Sequence, residues 1–332
     1  MQQPLIRDVT EKDLGVYIGI PFCRTRCLYC SFVSEVVKDP ALLDAYLSAL
    51  KEDIRTGGEI LREGGYRLRA MYIGGGTPTV LSPDQLADLL NTALTVYGGY
   101  GRELTVEAGR PDTIDREKLL VMKRFGAERI SINPQTMNEE TLKTIGRAHS
   151  VADVRSVYAC AREVGFRSIN MDVIAGLPGE SGEDMAYTYR EIEKLRPDNL
   201  TVHALAIKRS SLLKKQLERY PLPSAQTAEG MIRGGYESAK RMGMVPYYLY
   251  RQKYMSGNLE NVGYALPEKV CVYNIDIMEE TAGILSHGAG SMTKRVFPGQ
   301  RRIERLPSPK DVPTYLAKLP TLRAEKRRFF LD

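Results

Sequence analysis

Three of the five cysteines in the chain, Cys23, Cys27 and Cys30, fall within eight residues, in the run Gly19-Ile20-Pro21-Phe22-Cys23-Arg24-Thr25-Arg26-Cys27-Leu28-Tyr29-Cys30-Ser31-Phe32. Thiolates suit zinc, redox pairs and iron–sulfur clusters, and the spacing separates these. A structural zinc site takes four ligands and pairs its cysteines as C-x2-C with a second pair elsewhere. Here the pattern is C-x3-C-x2-C, with no partner pair and no histidine cluster. A redox C-x-x-C made of Cys27 and Cys30 leaves Cys23 without a role. A four-iron cubane uses all three and keeps one iron open to a further ligand, which suits chemistry better than plain electron transfer. Cys160, in the helical pattern Val157-Tyr158-Ala159-Cys160-Ala161, and Cys271, between Val270 and Val272 on a predicted strand, read as buried structural residues.

Other polar residues recur in short loops after apolar runs. They are Gly74-Gly75-Gly76-Thr77-Pro78, Glu107, Gln135 in Ser131-Ile132-Asn133-Pro134-Gln135, Gly146-Arg147-Ala148-His149, and Asp172 inside an otherwise apolar run. A glycine triplet makes a tight turn or admits a ligand close to the backbone. Arginine forks two donors onto a carboxylate, so Arg147 is a candidate carboxylate partner. Asp172 needs a partner if buried, because an unpaired charge in an apolar strand is costly. Glu107 reads as a rim charge or a ligand acceptor, and His149 as a helix-start hydrogen-bonder or a catalytic group.

The elements that must hold these residues alternate. Strand candidates are Val16–Ile20, Ala70–Ile73, Glu103–Glu107, Arg129–Ile132, Ile169–Ile174 and Leu200–His203. Helical patterns lie between them over Pro40–Arg55, Pro83–Val96, Asp115–Arg124, Val151–Glu163 and Gly182–Leu195, with Ser82 before Pro83 as an N-cap. Six such units in series predict an α/β fold with a parallel sheet, doubly wound or curled toward a barrel. The unusual residues follow the strands, and the carboxyl ends of strands carry the active site in such folds. Residues 1–15 form a lead-in and residues 16–208 the core. Residues 209–332 form a smaller β-rich subdomain, with strands over Pro246–Lys253, Val270–Ile277 and Gly283–Leu285, ending in a basic helical tail.

Hydrophobic residues make up 43% of the chain and charged residues 27%, as in a soluble globular protein. No apolar run is long enough to span a bilayer, and Met1-Gln2-Gln3-Pro4 does not open a signal peptide, so the expected compartment is the cytoplasm. The net charge of +6 is a solvated surface or a face for acidic partners, such as a carboxylate-bearing substrate or an acidic electron carrier. No recognition motif for nucleic acid accompanies the basic tail, so nucleic acid is not an expected partner.

The cysteine spacing, Tyr29 before the last cysteine and the preceding strand resemble the radical SAM superfamily. The resemblance implies a [4Fe–4S] cluster on Cys23, Cys27 and Cys30. Its open iron would chelate the amino and carboxylate groups of S-adenosylmethionine (SAM), and reduction would yield a 5′-deoxyadenosyl radical. It places Gly75, Gly76 and Thr77 against the methionine amino group, Arg147 at the methionine carboxylate and Asp172 at a ribose hydroxyl. It also carries Tyr17, Glu107, Gln135, Ala175 and Gly176 to the cofactor.

In order, the segments are similar to the oxygen-independent coproporphyrinogen III oxidase group, its HemZ branch in particular. The matching blocks are Val106-Glu107-Ala108-Gly109-Arg110-Pro111, Ser131–Gln135, Tyr247-Tyr248-Leu249-Tyr250-Arg251-Gln252-Lys253 and Gly257–Tyr264. The group implies a partial (β/α)6 barrel with the cofactors at its open end. It also implies a tetrapyrrole ligand, coproporphyrinogen III or heme, and a flavodoxin- or ferredoxin-type electron donor. Oxidative decarboxylation to protoporphyrinogen IX is the reaction implied. The decarboxylase proper has a further cysteine where this chain has Phe32, as the heme-chaperone branch does. A heme-handling protein, or a radical SAM enzyme methylating or opening another ring, are the alternatives. For the propionates, strand alternation offers Tyr247, Leu249, Arg251 and Lys253, or Tyr248, Tyr250 and Gln252. The first set holds both cations, so Tyr247, Arg251 and Lys253 are the substrate candidates. His287, in His287-Gly288-Ala289-Gly290-Ser291, has no assigned role.

Overall fold

The computed structural model describes residues 3–6, 9–32, 35–251, 259–297, 300 and 302–332. The six predicted strands form as β1 (Asp13–Ile20), β2 (Arg67–Gly75), β3 (Leu104–Gly109), β4 (Arg129–Ile132), β5 (Ser168–Ala175) and β6 (Asn199–Ala204). Five further strands follow: β7 (Val245–Tyr250), β8 (Asn261–Ala265), β9 (Gly283–His287), β10 (Met292–Phe297) and β11 (Arg302–Pro307). All belong to one 11-stranded sheet of order β11-β10-β9-β1-β2-β3-β4-β5-β6-β8-β7. From β9 through β6 the neighbours run parallel, and β8, β7, β10 and β11 add antiparallel edges. Among the described residues, the sheet does not close into a barrel. Residues after 209 extend both of its edges.

The crossover helices are set by local signals. α1 (Pro40–Glu63) starts on Asp39, whose carboxylate accepts from the Ala41 amide, with proline in its first turn. α2 (Pro83–Tyr97) has the Ser82–Gln85 capping box and stops at Gly98 in a left-handed conformation, φ 70°. α3 (Arg116–Arg124), α4 (Glu139–Thr144), α5 (Val151–Val164), α6 (Gly182–Leu195) and α7 (Ala225–Arg241) each begin on an Asp, Asn or Ser cap. Their apolar stripes cover one face of the sheet, where Leu14, Val16, Ile18 and Ile20 of β1 are buried.

The segment around Cys271 corrects a predicted strand. Val272–Met278 is a helix, α8, and Cys271 is its N-cap residue. Val272, Tyr273, Ile275 and Asp276 are buried, a helical period that the β-branched start of the segment masks. The Glu103 carboxylate accepts from the Tyr273 amide and the Cys271 thiol, both at 3.1 Å, which anchors the helix start. α8 packs on β2 and β7, and Tyr273 stacks on Tyr72 with centroids 4.6 Å apart.

The basic tail is α9 (Val312–Leu331), laid along α1. Arg323 and Arg327 pair with Glu52, Glu59 and Glu63 of α1. Fully buried Lys326 reaches the Asp53 carboxylate at 2.7 and 2.8 Å and the Ser286 carbonyl at 2.6 Å. Asp53 also accepts from the Tyr315 hydroxyl, and Tyr97 meets His287 Nε2 at 2.6 Å. These bonds give the buried charge its partners. They place His287 in the packing between α1 and the sheet.

Candidate functional site

The carboxyl ends of the parallel strands surround a cavity of about 330 Å3. Cys23, Cys27 and Cys30 line one side of it, on a loop that leaves β1. Cys23 and Cys27 are buried and Cys30 is half-buried, all as free thiols. The loop is held from several directions. Leu28 donates its amide to the Ile145 carbonyl at 2.9 Å, and Arg110 donates to the Thr25 carbonyl at 3.0 Å.

The glycine triplet sits at the exit of β2, against the same loop. Gly75 has φ 120°, and a Cβ there would lie 2.7 Å from the Ile20 carbonyl oxygen. A Cβ on Gly76 would lie 2.5 Å from the Phe22 carbonyl oxygen and 2.8 Å from Cys23 Sγ. Only glycine allows β2 to come this close to the cysteine loop. A Cβ on Gly74 would strike Glu107 Oε2 at 2.6 Å, and that oxygen accepts the Gly75 amide at 3.2 Å. Burial, helped by the neighbouring Asp172 charge, pushes the Glu107 carboxyl up to about 7.

Gln135 also lines the cavity and holds a left-handed backbone, φ 68°, uncommon for a side-chain-bearing residue. Two hydrogen bonds to β5 hold it there: Gln135 N to the Asp172 carbonyl at 3.0 Å, and Ile174 N to the Gln135 carbonyl at 2.9 Å. Asp172 and Ile174 line the cavity from β5, in register with Thr201 and His203 of β6. Burial raises the Asp172 pKa, but hydrogen bonding and charge from His203, with Asn170 and Thr201, outweigh it and hold the carboxyl below its ordinary value.

Arg147 lines the cavity with Nη2 bonded to the Tyr29 hydroxyl at 3.2 Å. Among the described residues, its Nε and Nη1 are buried with no partner, as is Oδ1 of the cavity-lining Asn133. Buried donors and acceptors without partners are costly, so these atoms mark where a polar ligand fits.

The cavity therefore collects Cys23, Cys27, Cys30, Gly75, Gly76, Thr77, Glu107, Gln135, Arg147 and Asp172. Tyr17, Ala175 and Gly176 are not among its lining residues. Tyr17 lies beside the stacked pair of Tyr72 and Tyr273, 6.2 Å from each ring. Ala175 alternates away from Asp172 and Ile174 onto the other face of β5. His149 is buried with Nδ1 3.7 Å from Asp112, outside the lining.

Strand β7, in the segment of the expected substrate candidates, departs from the expected alternation. A register shift opposite Gly263 and Tyr264 bulges β7, so Tyr247 and Tyr248 are both buried and Leu249 is exposed. Tyr250 reaches the cavity, with its hydroxyl 3.3 Å from His203 Nδ1. Arg251 is exposed and paired with Glu260 at 2.8 Å, away from the lining, and Tyr247 lies outside it too. Lys253 and Gln252 lie outside the described residues.

Sequence reasoning did not single out Arg26, Arg110, Asn133, His203 or Lys208, and it placed Tyr250 in the set it passed over; all six line the cavity. Asn133 and Arg110 stood inside quoted motifs. For His203 the signal was a polar residue at the end of a predicted strand.

These residues fit the implied cofactors. Among the described residues, no group of three or more His, Cys, Asp or Glu side chains converges as a single metal ion requires. A cubane instead takes its thiolates at separate corners, so three thiols spread around a loop suit it better than a zinc cage. Cys23, Cys27 and Cys30 would hold the cluster. The unpartnered guanidinium atoms of Arg147, the open backbone at Gly75 and Gly76, and the Asp172 carboxylate would meet the carboxylate, amino group and hydroxyls of SAM.

Comparison with known proteins agrees. The family model of the radical SAM superfamily matches residues 17–192. The oxygen-independent coproporphyrinogen-III oxidase-like protein HemZ of Bacillus subtilis is 39% identical over 96% of this chain and 64% of its own length. The heme chaperone HemW of the same organism is 33% identical over 65% of this chain and 57% of its own. The chain thus spans less than two thirds of either relative. The solved structure of coproporphyrinogen III oxidase (HemN) from Escherichia coli covers 96% of this chain and 72% of its own, with TM-score 0.77 and 21% identity. No helix among the described residues is long and apolar enough to cross a membrane. A cysteine loop, a backbone cradle and an unsatisfied arginine gathered at one sheet edge agree with these matches: this protein belongs to the radical SAM superfamily, in its HemN/HemZ family, whose cofactors are a [4Fe–4S] cluster and SAM.

Proposed function

We propose that this protein is an oxidoreductase acting on a tetrapyrrole, and that its reaction is the oxygen-independent oxidative decarboxylation of coproporphyrinogen III to protoporphyrinogen IX. The observation that carries this reading is the likeness to HemZ along nearly the whole chain. When bound, the cluster and SAM supply a strong hydrogen-atom abstractor. A propionate loses a hydrogen atom from the carbon next to the ring, one electron passes to an acceptor, carbon dioxide leaves, and a vinyl group remains.

The chain's own residues would prepare this chemistry. Arg26 and Lys208 are the lining cations nearest solvent, and they would receive the substrate's carboxylates. Tyr250 and His203 also line the cavity, where the hydroxyl and imidazole would orient the ring. The half-buried Glu107 and Asp172 would hold the cofactor's polar groups.

A heme-handling role is the second reading, favoured by Phe32. This residue is 68% exposed at the cavity edge, where an apolar ring would lie against a flat porphyrin. The test is anaerobic incubation of reconstituted protein with SAM, reductant and coproporphyrinogen III, with mass analysis of all products. Loss of two carboxyl groups supports the decarboxylase. Unchanged tetrapyrrole together with tight, stoichiometric heme binding supports the second reading.

A further inference from the structure

The cysteine loop is roofed by the segment between β6 and α7. Leu213 donates its amide to the Leu28 carbonyl at 2.9 Å, next to Cys27 in sequence. The Ser210 hydroxyl donates to the Ser31 carbonyl at 3.2 Å, next to Cys30, and Arg26 Nη2 donates to the Ser210 carbonyl at 2.9 Å. The outer side of this roof is cationic. Between residues 205 and 224 there are five Lys or Arg residues and one acid, Glu218. Arg209, Lys214, Lys215 and Arg219 are exposed, and none forms an ion pair among the described residues.

We propose that this roof docks a small acidic one-electron carrier protein, and that its hydrogen bonds to the cysteine loop shorten the path of the electron into the cluster. The proposal rests on the radical SAM assignment and adds the partner's surface to it. Unpaired like charges raise the potential over a surface and steer an oppositely charged partner onto it, with on-rates that fall as salt rises. A substrate's carboxylates need cations inside the cavity, but Arg209, Lys214, Lys215 and Arg219 all lie outside its lining. The electron balance is one electron per event: the carrier is oxidised and the cluster is reduced.

The test uses cluster-loaded protein and two reductants, a bacterial flavodoxin as its hydroquinone and reduced methyl viologen, a small cation the roof cannot attract. Stopped-flow reduction of the parent by flavodoxin should slow as salt rises. The triple variant K214E/K215E/R219E should lose about tenfold or more in second-order rate at low salt, together with the salt dependence. Calorimetry should show a matching loss of flavodoxin affinity. Viologen should reduce the variant at least as fast as the parent. An unchanged flavodoxin rate and affinity in the variant overturns the proposal, and so does an equal slowing with both reductants, which would place the effect on the cluster. A tenfold loss of tetrapyrrole binding with unaltered flavodoxin kinetics also overturns it, by making the roof a substrate surface. A parent with no reducible cluster under viologen would defeat the underlying assignment instead, and the viologen arm alone reveals that.

Discussion

Arg110 Nη1 lies 3.7 Å from the sulfur of Cys27. The guanidinium is buried and held by Asp112, with Nε 3.1 Å from Oδ1, and by the Thr25 carbonyl. A fixed positive charge beside a ligating thiolate favours the more negative, reduced state of a cluster, because hydrogen bonds and net charge near the sulfurs set its potential. Arg110→Met should therefore move the cluster midpoint to more negative values by tens of millivolts. An EPR-monitored potentiometric titration checks this. An unmoved midpoint at full iron content would leave Arg110 with only a packing role.

Anaerobically reconstituted protein should hold about four irons per chain, as one cubane requires. Cys23→Ala, Cys27→Ala and Cys30→Ala should each abolish the cluster. Cys160→Ala and Cys271→Ala should keep it, because Cys160 lies on α5 and Cys271 is buried at the start of α8. Iron and acid-labile sulfide assays decide the matter, and stoichiometric zinc without iron would overturn the cluster.

Arg147→Ala should weaken SAM binding to the cluster-loaded protein by about 2–5 kcal/mol, since the partner carboxylate would be left desolvated and unpaired. Asp172→Asn should cost less, because the amide still accepts one hydrogen bond. Equilibrium binding measures both, and an unaltered affinity in Arg147→Ala would remove that residue from the SAM site.

On the substrate strand, Arg251→Ala should change stability by less than about 1 kcal/mol, because its pair with Glu260 is exposed. It should also leave tetrapyrrole binding intact. Tyr250→Ala should weaken that binding while SAM cleavage to 5′-deoxyadenosine continues. The reverse pattern, with Arg251 essential and Tyr250 silent, would mean that the bulge in β7 does not govern which side chains meet substrate.

Glu180 offers a pH test away from the cavity. It is buried, with Oε1 bonded to Thr136 and Oε2 without a hydrogen bond among the described residues, and burial pushes its carboxyl from the ordinary 4.5 up to about 7. Unfolded protein releases this proton at lower pH than folded protein, so the native state holds the extra proton between about pH 4.5 and 7. This group's contribution is full below the unfolded pKa and is lost as pH rises through the folded one. Glu180→Gln should raise the melting temperature at pH 8 and do little at pH 4. A variant less stable than the parent at pH 8 would contradict this sign.

Much of this was written locally in the chain. Caps and helical periods set α2, α3, α5 and α6 to within a few residues, whereas α1 runs to Glu63, past the predicted end at Arg55, and the short α4 was not predicted. The cysteine spacing named the candidate cluster ligands, because three thiolates within eight residues have few chemical uses. Strand-end position carried Gly75, Gly76, Thr77, Glu107 and Gln135 to the cavity, since a parallel sheet brings its carboxyl ends to one edge; Asp172 reaches it from within β5, and Arg147 from the loop after α4. What failed depended on contacts between distant segments. Which face of β7 meets the cavity was decided by a bulge against β8, and no alternation rule contains a register shift. Cys271 starts a helix because Glu103, far away in sequence, accepts its first-turn amide. Arg110 reaches Cys27 only after β3 is laid beside β2 and the loop folds over both. Pairing across the sheet selects among locally equivalent conformations, and that selection is a property of the assembled layer, not of any window of sequence.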